Sequence, residues 1–240
     1  MIIQVNSKWW RTCIDTLLPP RCVLCGQASG SVCLCDDCKN DLPWSGPQCL
    51  KCGLPISLPE DDCCGRCMLK APLFERTISP LQYRFPVDRL IQAFKFNRQL
   101  AAGRVLSQLL CDHIIQHEIV RPDTLIPVPL HSLRMITRGF NQSYELAVHL
   151  SKALQLPLIA DGLRRSRNTA AQSGLSRNQR RNNLHGAFSW RKHDIRGQHI
   201  ALVDDVLTTG STVTECTRVL LAAGAKRVDV WVPARAVFKL

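Results

Sequence analysis

What this chain lacks narrows it first. No apolar run in its 240 residues is long enough to span a bilayer, so no membrane span is expected. The stretch Met1–Leu18 places Lys8, Trp9, Trp10 and Arg11 ahead of a short apolar run, which is unlike a secretory signal. It reads as a short amphipathic helix over residues 1–19, and a cytoplasmic location is the default expectation. No GxxxxGK[ST] loop occurs, which excludes the nucleotide-driven motors built on that loop. Acidic residues are scarce: 19 Asp and Glu stand against 31 Lys and Arg, a formal charge of +12. The shortage is local, because residues 1–71 hold 7 basic and 7 acidic side chains while residues 72–240 hold 24 and 12. The basic partner site therefore lies in the second part, where such an excess suits a polyphosphate ligand, nucleic acid, or both.

Cysteine, by contrast, is abundant and clustered. Eleven of the 13 cysteines precede residue 68, and eight form the CxxC pairs Cys22/Cys25, Cys35/Cys38, Cys49/Cys52 and Cys64/Cys67. A CxxC knuckle supplies two tetrahedral zinc ligands, so four knuckles predict two ribbon sites of four thiolates each over residues 20–71. Disulfides are the competing reading, disfavoured by the reducing compartment expected for this chain. Sites closed by four thiolates leave no open coordination position, so these zinc ions are expected to be structural. Pro- and Gly-rich links such as Leu42-Pro43-Trp44-Ser45-Gly46-Pro47 join segments too small for a core of their own, and metal takes its place. Cys33 and Cys63 stand one step out of pattern as alternate ligands, whereas Cys13, Cys111 and Cys216 sit in apolar surroundings that suit buried thiols.

From residue 72 to 240 the pattern becomes strands alternating with helices. Strands are predicted at Thr77–Phe85, Asp123–Val128, Leu163–Arg167, His199–Val203 and Arg227–Val232; helices at Pro86–Lys95, Gly103–His117 and Asn141–Leu154. That alternation predicts an α/β domain with a parallel sheet flanked by helices, and ligands at the carboxyl ends of the strands.

The chemistry concentrates in Ile200–Thr212. An apolar strand ends in Asp204 and Asp205, and Thr208, Thr209, Gly210, Ser211 and Thr212 lead into an amphipathic helix. Loop amides and hydroxyls at a helix N-terminus suit a phosphate, and Gly210 lets the backbone come close. The two carboxylates would repel that phosphate and so face vicinal hydroxyls or a divalent cation. A ligand with one phosphate and a nearby diol is a ribose 5-phosphate. Further back, Arg138 and Gly139 follow the strand ending at Val128, where a guanidinium and turn amides can meet a diphosphate. Lys95, between two phenylalanines, either reaches a phosphate or lies along the surface as an amphipathic side chain. The stretch 164–182 carries six arginines and no acid, with Gln172 among small polar residues; Gln172, Arg177 and Arg181 are candidate contacts of a flexible loop. It reads as a lid over the reacting site or as a nucleic-acid contact, the latter weakened by the lack of a stacking aromatic.

The Ile200–Thr212 stretch resembles the phosphoribosyl pyrophosphate (PRPP) motif of type I phosphoribosyltransferases. In those proteins the loop at the position of Arg138 and Gly139 holds pyrophosphate, and a flexible loop closes over the site. The knuckle Cys64-Gly65-Arg66-Cys67, Phe94-Lys95-Phe96, Pro127-Val128-Pro129, Arg138-Gly139-Phe140-Asn141-Gln142, Gln172 with the arginines after it, and the PRPP motif, taken in order, resemble the ComF family, with the GntX type its closest-looking branch. The resemblance implies a double zinc ribbon before a phosphoribosyltransferase fold, binding of PRPP with Mg2+, an acceptor it leaves unspecified, and a link to DNA uptake or use. It leaves two function classes open: a PRPP-dependent transferase, or a non-catalytic factor that keeps the PRPP site while binding single-stranded DNA or the DNA-uptake machinery.

Overall fold

The computed structural model describes residues 20–30, 32–56, 62–130, 132–166, 186–191 and 193–237. The helix expected over residues 1–19, Cys13, and the Gln172, Arg177 and Arg181 loop lie outside the described residues. The chain divides into two compact units, Met1–Leu42 and Pro43–Leu240.

In the first unit the chain turns back on itself through Cys22 N–H to Gln27 O (2.8 Å) and Gly26 N–H to Cys22 O (2.9 Å), and helix α1 (Asp36–Asn40) follows. The second unit opens with the other cysteine knuckles and helix α2 (Gly65–Leu69). Its centre is a four-stranded parallel sheet in the order β1 (Arg76–Ile78), β7 (Arg227–Trp231), β6 (His199–Val203), β3 (Thr124–Pro127). Ile200 to Val203 are fully buried, as an unbroken apolar run must be when both faces of a parallel strand are covered. Helix α3 (Val87–Phe96) packs on α4 (Leu100–Gln116), and α4 on α6 (Gln142–Leu154), which covers β3. Gly103 makes the α3–α4 contact possible, since a Cβ there would come within 2.5 Å of the Phe94 ring. Helix α7 (Ser211–Ala222) lies against β7 with Val213, Cys216 and Leu220 buried.

Three local expectations change. The strand predicted over Thr77–Phe85 is broken: β1 ends at Ile78, and after Pro80, which has no N–H to donate, β2 (Leu81–Gln82) pairs instead with β8 (Ala234–Arg235). Of the strand predicted at Leu163–Arg167, the described part holds β4 (Leu163–Arg165), which lies outside the parallel sheet and pairs antiparallel with a strand the sequence did not suggest, β5 (Phe188–Trp190), while Arg167 lies outside the described residues. The stretch before Gly139 is a short helix, α5 (Ser132–Arg138), rather than a loop.

The second ribbon is stitched to the sheet by its backbone. Thr77 N–H donates to Leu50 O (2.8 Å) and Thr77 Oγ1 to Lys51 O (2.7 Å). Gly53 lies at φ +67°, and a Cβ there would stand 2.9 Å from Thr77 Cγ2, so the knuckle can lie flat on β1 only with glycine.

Candidate functional site

Four thiols meet in each unit. Sulfurs of Cys22, Cys25, Cys35 and Cys38 all lie within 4.8 Å of one another, as do those of Cys49, Cys52, Cys64 and Cys67. Four thiolates at about 2.3 Å from a zinc ion span tetrahedral edges of about 3.8 Å. The Cys25–Cys35 and Cys52–Cys64 sulfur separations are both 3.7 Å, so both sets fit zinc. Ligands pair in chain order, the first two knuckles on one site and the last two on the other. Neither Cys33 nor Cys63 belongs to a set, although Cys63 packs beside the second. Cys111 and Cys216 are buried, and burial pushes both thiols up from their ordinary pKa.

At the carboxyl end of β6, a cavity of about 200 Å³ is lined by Lys95, Arg138, Gln142, Arg165, Asp204, Asp205, Thr208 and Thr212, with Val128 and Ser143 among the rest. The two carboxylates are held differently. Asp204 accepts hydrogen bonds from Ser143 Oγ (2.8 Å) and the Asp205 amide (2.9 Å), while Asp205 faces Lys95 Nζ at 3.0 Å. Burial raises the Asp204 pKa to about 7, and the neighbouring Asp205 charge adds to the rise against the pull of Ser143. The loop leaves β6 and turns at Gly210 (φ +80°), a left-handed conformation that suits glycine immediately before the first turn of α7. Thr209 Oγ1 and Ser211 Oγ meet at 3.0 Å across the turn.

Arg138, the last residue of α5, lies over the Phe96 ring at 5.3 Å and donates from Nη1 to Gln142 Oε1 (3.1 Å). Gly139 follows at φ +79°, and a Cβ there would meet Arg98 Nη2 at 2.3 Å. Asn141 caps α6 by accepting from the Ser143 amide (3.1 Å) and anchors to Val128 O through Nδ2 (3.1 Å). Gln142 is buried, lines the cavity, and its Nε2 has no partner among the described residues.

The sequence-chosen residues Asp204, Asp205, Thr208, Thr212 and Arg138 thus share one cavity, with Lys95 among them. Thr209, Gly210 and Ser211 line instead a second cavity on the far side of the same loop. Gly139 lines neither cavity. Ser143, Gln142 and Arg165 were not singled out as site residues, yet each lines the cavity; the run Asn141-Gln142-Ser143 at a helix start was the available signal. Gly186, the first described residue after the arginine-rich stretch, donates its N–H to Oε1 of Glu215 in α7 (2.8 Å).

Comparison with known proteins gives the same two parts in the same order. Residues 13–68 match the double zinc ribbon domain and residues 141–236 the phosphoribosyl transferase domain. The chain is 36% identical over 209 residues to competence protein F of Haemophilus influenzae, covering 85% of this chain and 90% of that protein. It is 37% identical over 223 residues to the DNA utilization protein YhgH of Escherichia coli O157:H7, covering 89% and 96%. Competence protein ComFC of Streptococcus pneumoniae is 26% identical over 229 residues, 88% and 98% of the two chains. Cysteine knuckles before a parallel sheet, and an identity above one third sustained over 90% or more of the Haemophilus influenzae and Escherichia coli relatives, make this chain a member of the ComF family.

Proposed function

We propose that this chain binds PRPP with Mg2+ in the cavity between Lys95, Arg138 and Asp204, and serves DNA uptake or utilisation, in keeping with relatives named for competence and for DNA utilization. The observation that carries the reading is the sharing of one cavity by two unlike sets of groups: the Asp204–Asp205 pair, and the cations Lys95, Arg138 and Arg165 with the hydroxyls of Thr208 and Thr212. A ligand anionic at both ends with a diol between them satisfies both sets, and neither a simple phosphate nor a neutral sugar does.

The chemistry this arrangement can support is transfer at C1 of the ribose. The C1–oxygen bond to pyrophosphate breaks with its electron pair leaving on oxygen, and the acceptor's lone pair forms the new bond to C1. Arg138 and Lys95 would stabilise charge growing on the leaving group, while Asp204 and Asp205 hold the ribose hydroxyls and support positive charge on the ring. Bound Mg2+ would neutralise part of the pyrophosphate charge, with the two carboxylates as its oxygen donors or its nearest anions. Lys95 must release Asp205 when the diol arrives, since both seek the same oxygen. Residues 20–71 would serve as the zinc-stabilised docking part and residues 72–240 as the ligand-binding part.

Calorimetry of PRPP with Mg2+ tests this. Binding is expected for the wild-type chain, with a loss of at least about tenfold in Asp205→Asn, the scale of a lost charged hydrogen bond. Equal affinity in the two proteins removes the diol assignment. An acceptor screen for PRPP consumption would then separate a transferase from a factor that only binds.

A further inference from the structure

Arg235 is almost fully buried, and its guanidinium spans two parts of the second unit. Nε donates to the carbonyl of Cys52 (2.7 Å), a residue of the second thiolate set. Nη1 donates to the carbonyls of Leu207 (2.8 Å), Ala236 (2.7 Å) and Thr208. We propose that Arg235 is a positioning residue that ties the metal state of the second ribbon to the shape of the phosphate loop. The proposal rests on the reading that Thr208–Thr212 take the phosphate of the ligand.

Carbonyl oxygens repel an anion, and amide N–H groups attract it. A loop that binds phosphate must therefore turn its carbonyls away. Leu207 is already fixed on one side by its own N–H to Ala234 O (3.0 Å) and by Ala236 N–H to its carbonyl (2.9 Å). Among the described residues Thr208 has no such backbone ladder, and the Arg235 fork holds its carbonyl. The fork has a fixed shape, so its hold on Thr208 depends on where its other arm ends. That arm ends on Cys52, whose knuckle closes through Gly53 N–H to Cys49 O (2.8 Å) and whose thiol is a metal ligand. Metal at the second site thus sets the position of the Cys52 carbonyl, and through it the guanidinium. A cavity of about 510 Å³ lies on this far side, lined by Cys52, Cys67, Leu207, Gly210, Ser211 and Arg235 with others. The loop has room to relax backward when the knuckle loosens.

Four full-length proteins expressed with zinc test the coupling: the wild type, the ribbon variant Cys64→Ser with Cys67→Ser, Arg235→Lys, and the combination. The ribbon variant and Arg235→Lys are each expected to bind PRPP with Mg2+ at least about tenfold more weakly than the wild type, since a lysine keeps the charge but cannot span both carbonyls. The combination is expected to match the weaker of the two within about twofold, because both act through one linkage. Independent, multiplying losses would overturn the proposal, as would a ribbon variant with wild-type affinity. Hydrogen exchange at the amides of Leu207–Thr214 gives a readout without ligand: at least about tenfold faster exchange is expected in the ribbon variant, and unchanged exchange overturns the coupling. If the wild type fails to bind PRPP, the proposed function falls and the exchange arm decides the coupling alone. If Arg235→Lys does not fold, affinity and exchange in the ribbon variant decide it.

Discussion

The two zinc ribbons share ligand chemistry and differ in what surrounds them. The first belongs to the compact unit that ends at Leu42, where its backbone bonds are local, such as Lys39 N–H to Cys35 O (2.9 Å). The second lies in the unit with the sheet, with Leu50, Lys51 and Cys52 carbonyls taken up by Thr77 and Arg235 and with Lys51 paired to Glu75 at 2.8 Å. The same kind of four-thiol set is thus a local staple in one place and part of a domain's foundation in the other. What a metal site stabilises is set by the partners of its backbone, not by its ligands.

Removing one zinc site at a time should separate the two most strongly. Cys49→Ser is expected to lower the unfolding free energy of the sheet unit by more than about 4 kcal/mol, the range that follows loss of a structural metal. Cys22→Ser should leave the sheet transition within about 1 kcal/mol of the wild type and abolish only one of two bound zinc ions. Scanning calorimetry with metal analysis measures both, and equal shifts in the two variants would erase the distinction between the ribbons.

A pH series sharpens the comparison from the sheet side. Asp204 lies in the second unit, and its carboxyl holds its proton up to about pH 7 in the folded state, well above the ordinary 3.8. Its folded form binds more protons than its unfolded form between those values. This group therefore favours folding at low pH, and its contribution is lost as pH rises from about 4 through about 7. The sheet transition should show that fall, and Asp204→Asn should flatten it. Affinity for PRPP with Mg2+ should move the other way, rising toward pH 8 as the proton leaves a carboxylate that accepts hydrogen bonds. A sheet transition with the same pH slope in Asp204→Asn would contradict the assignment.

Thr77→Val is the mildest cut between ribbon and sheet. It removes the Oγ1 bond to Lys51 O and leaves the Leu50 bond, so a loss of about 1 kcal/mol is expected in the sheet transition, with zinc content unchanged. Chemical denaturation reads this directly, and a loss near zero would mean that the junction rests on backbone pairing alone.

Much of this was legible in the residues, for physical reasons that also mark where legibility ends. Cysteine spacing is a local signal, so the knuckles could be read from CxxC pairs; their sharing in chain order needed coordinates. The run Ile200–Val203 is apolar throughout and Leu100–Gln116 carries its buried residues at helical spacing, so both elements declare themselves. The break at Pro80 hid because Thr77, Ile78, Leu81 and Tyr83 together read as one β-prone run, and the departure to β8 depends on a partner more than 150 residues away. Helix α5 hid because its seven residues are too few for a period to show. At the site, Asp204, Asp205 and the hydroxyl loop are contiguous and could be read together. Ser143 touches Asp204 from 61 residues away, and Arg235 reaches Cys52 across 183. No spacing rule announces such contacts.

On the proposed function, the cavity at the end of β6 takes a ribose 5-phosphate, with the diol on Asp204 and Asp205 and the phosphate on the loop. Titrating ribose 5-phosphate and 2-deoxyribose 5-phosphate into the zinc-loaded protein tests this, because the two ligands differ by one of the two vicinal hydroxyls that the carboxylates are assigned to hold. Ribose 5-phosphate is expected to bind about tenfold tighter in the wild type, with the gap closing in Asp205→Asn. Equal affinity for the two sugars in the wild-type protein would contradict the account.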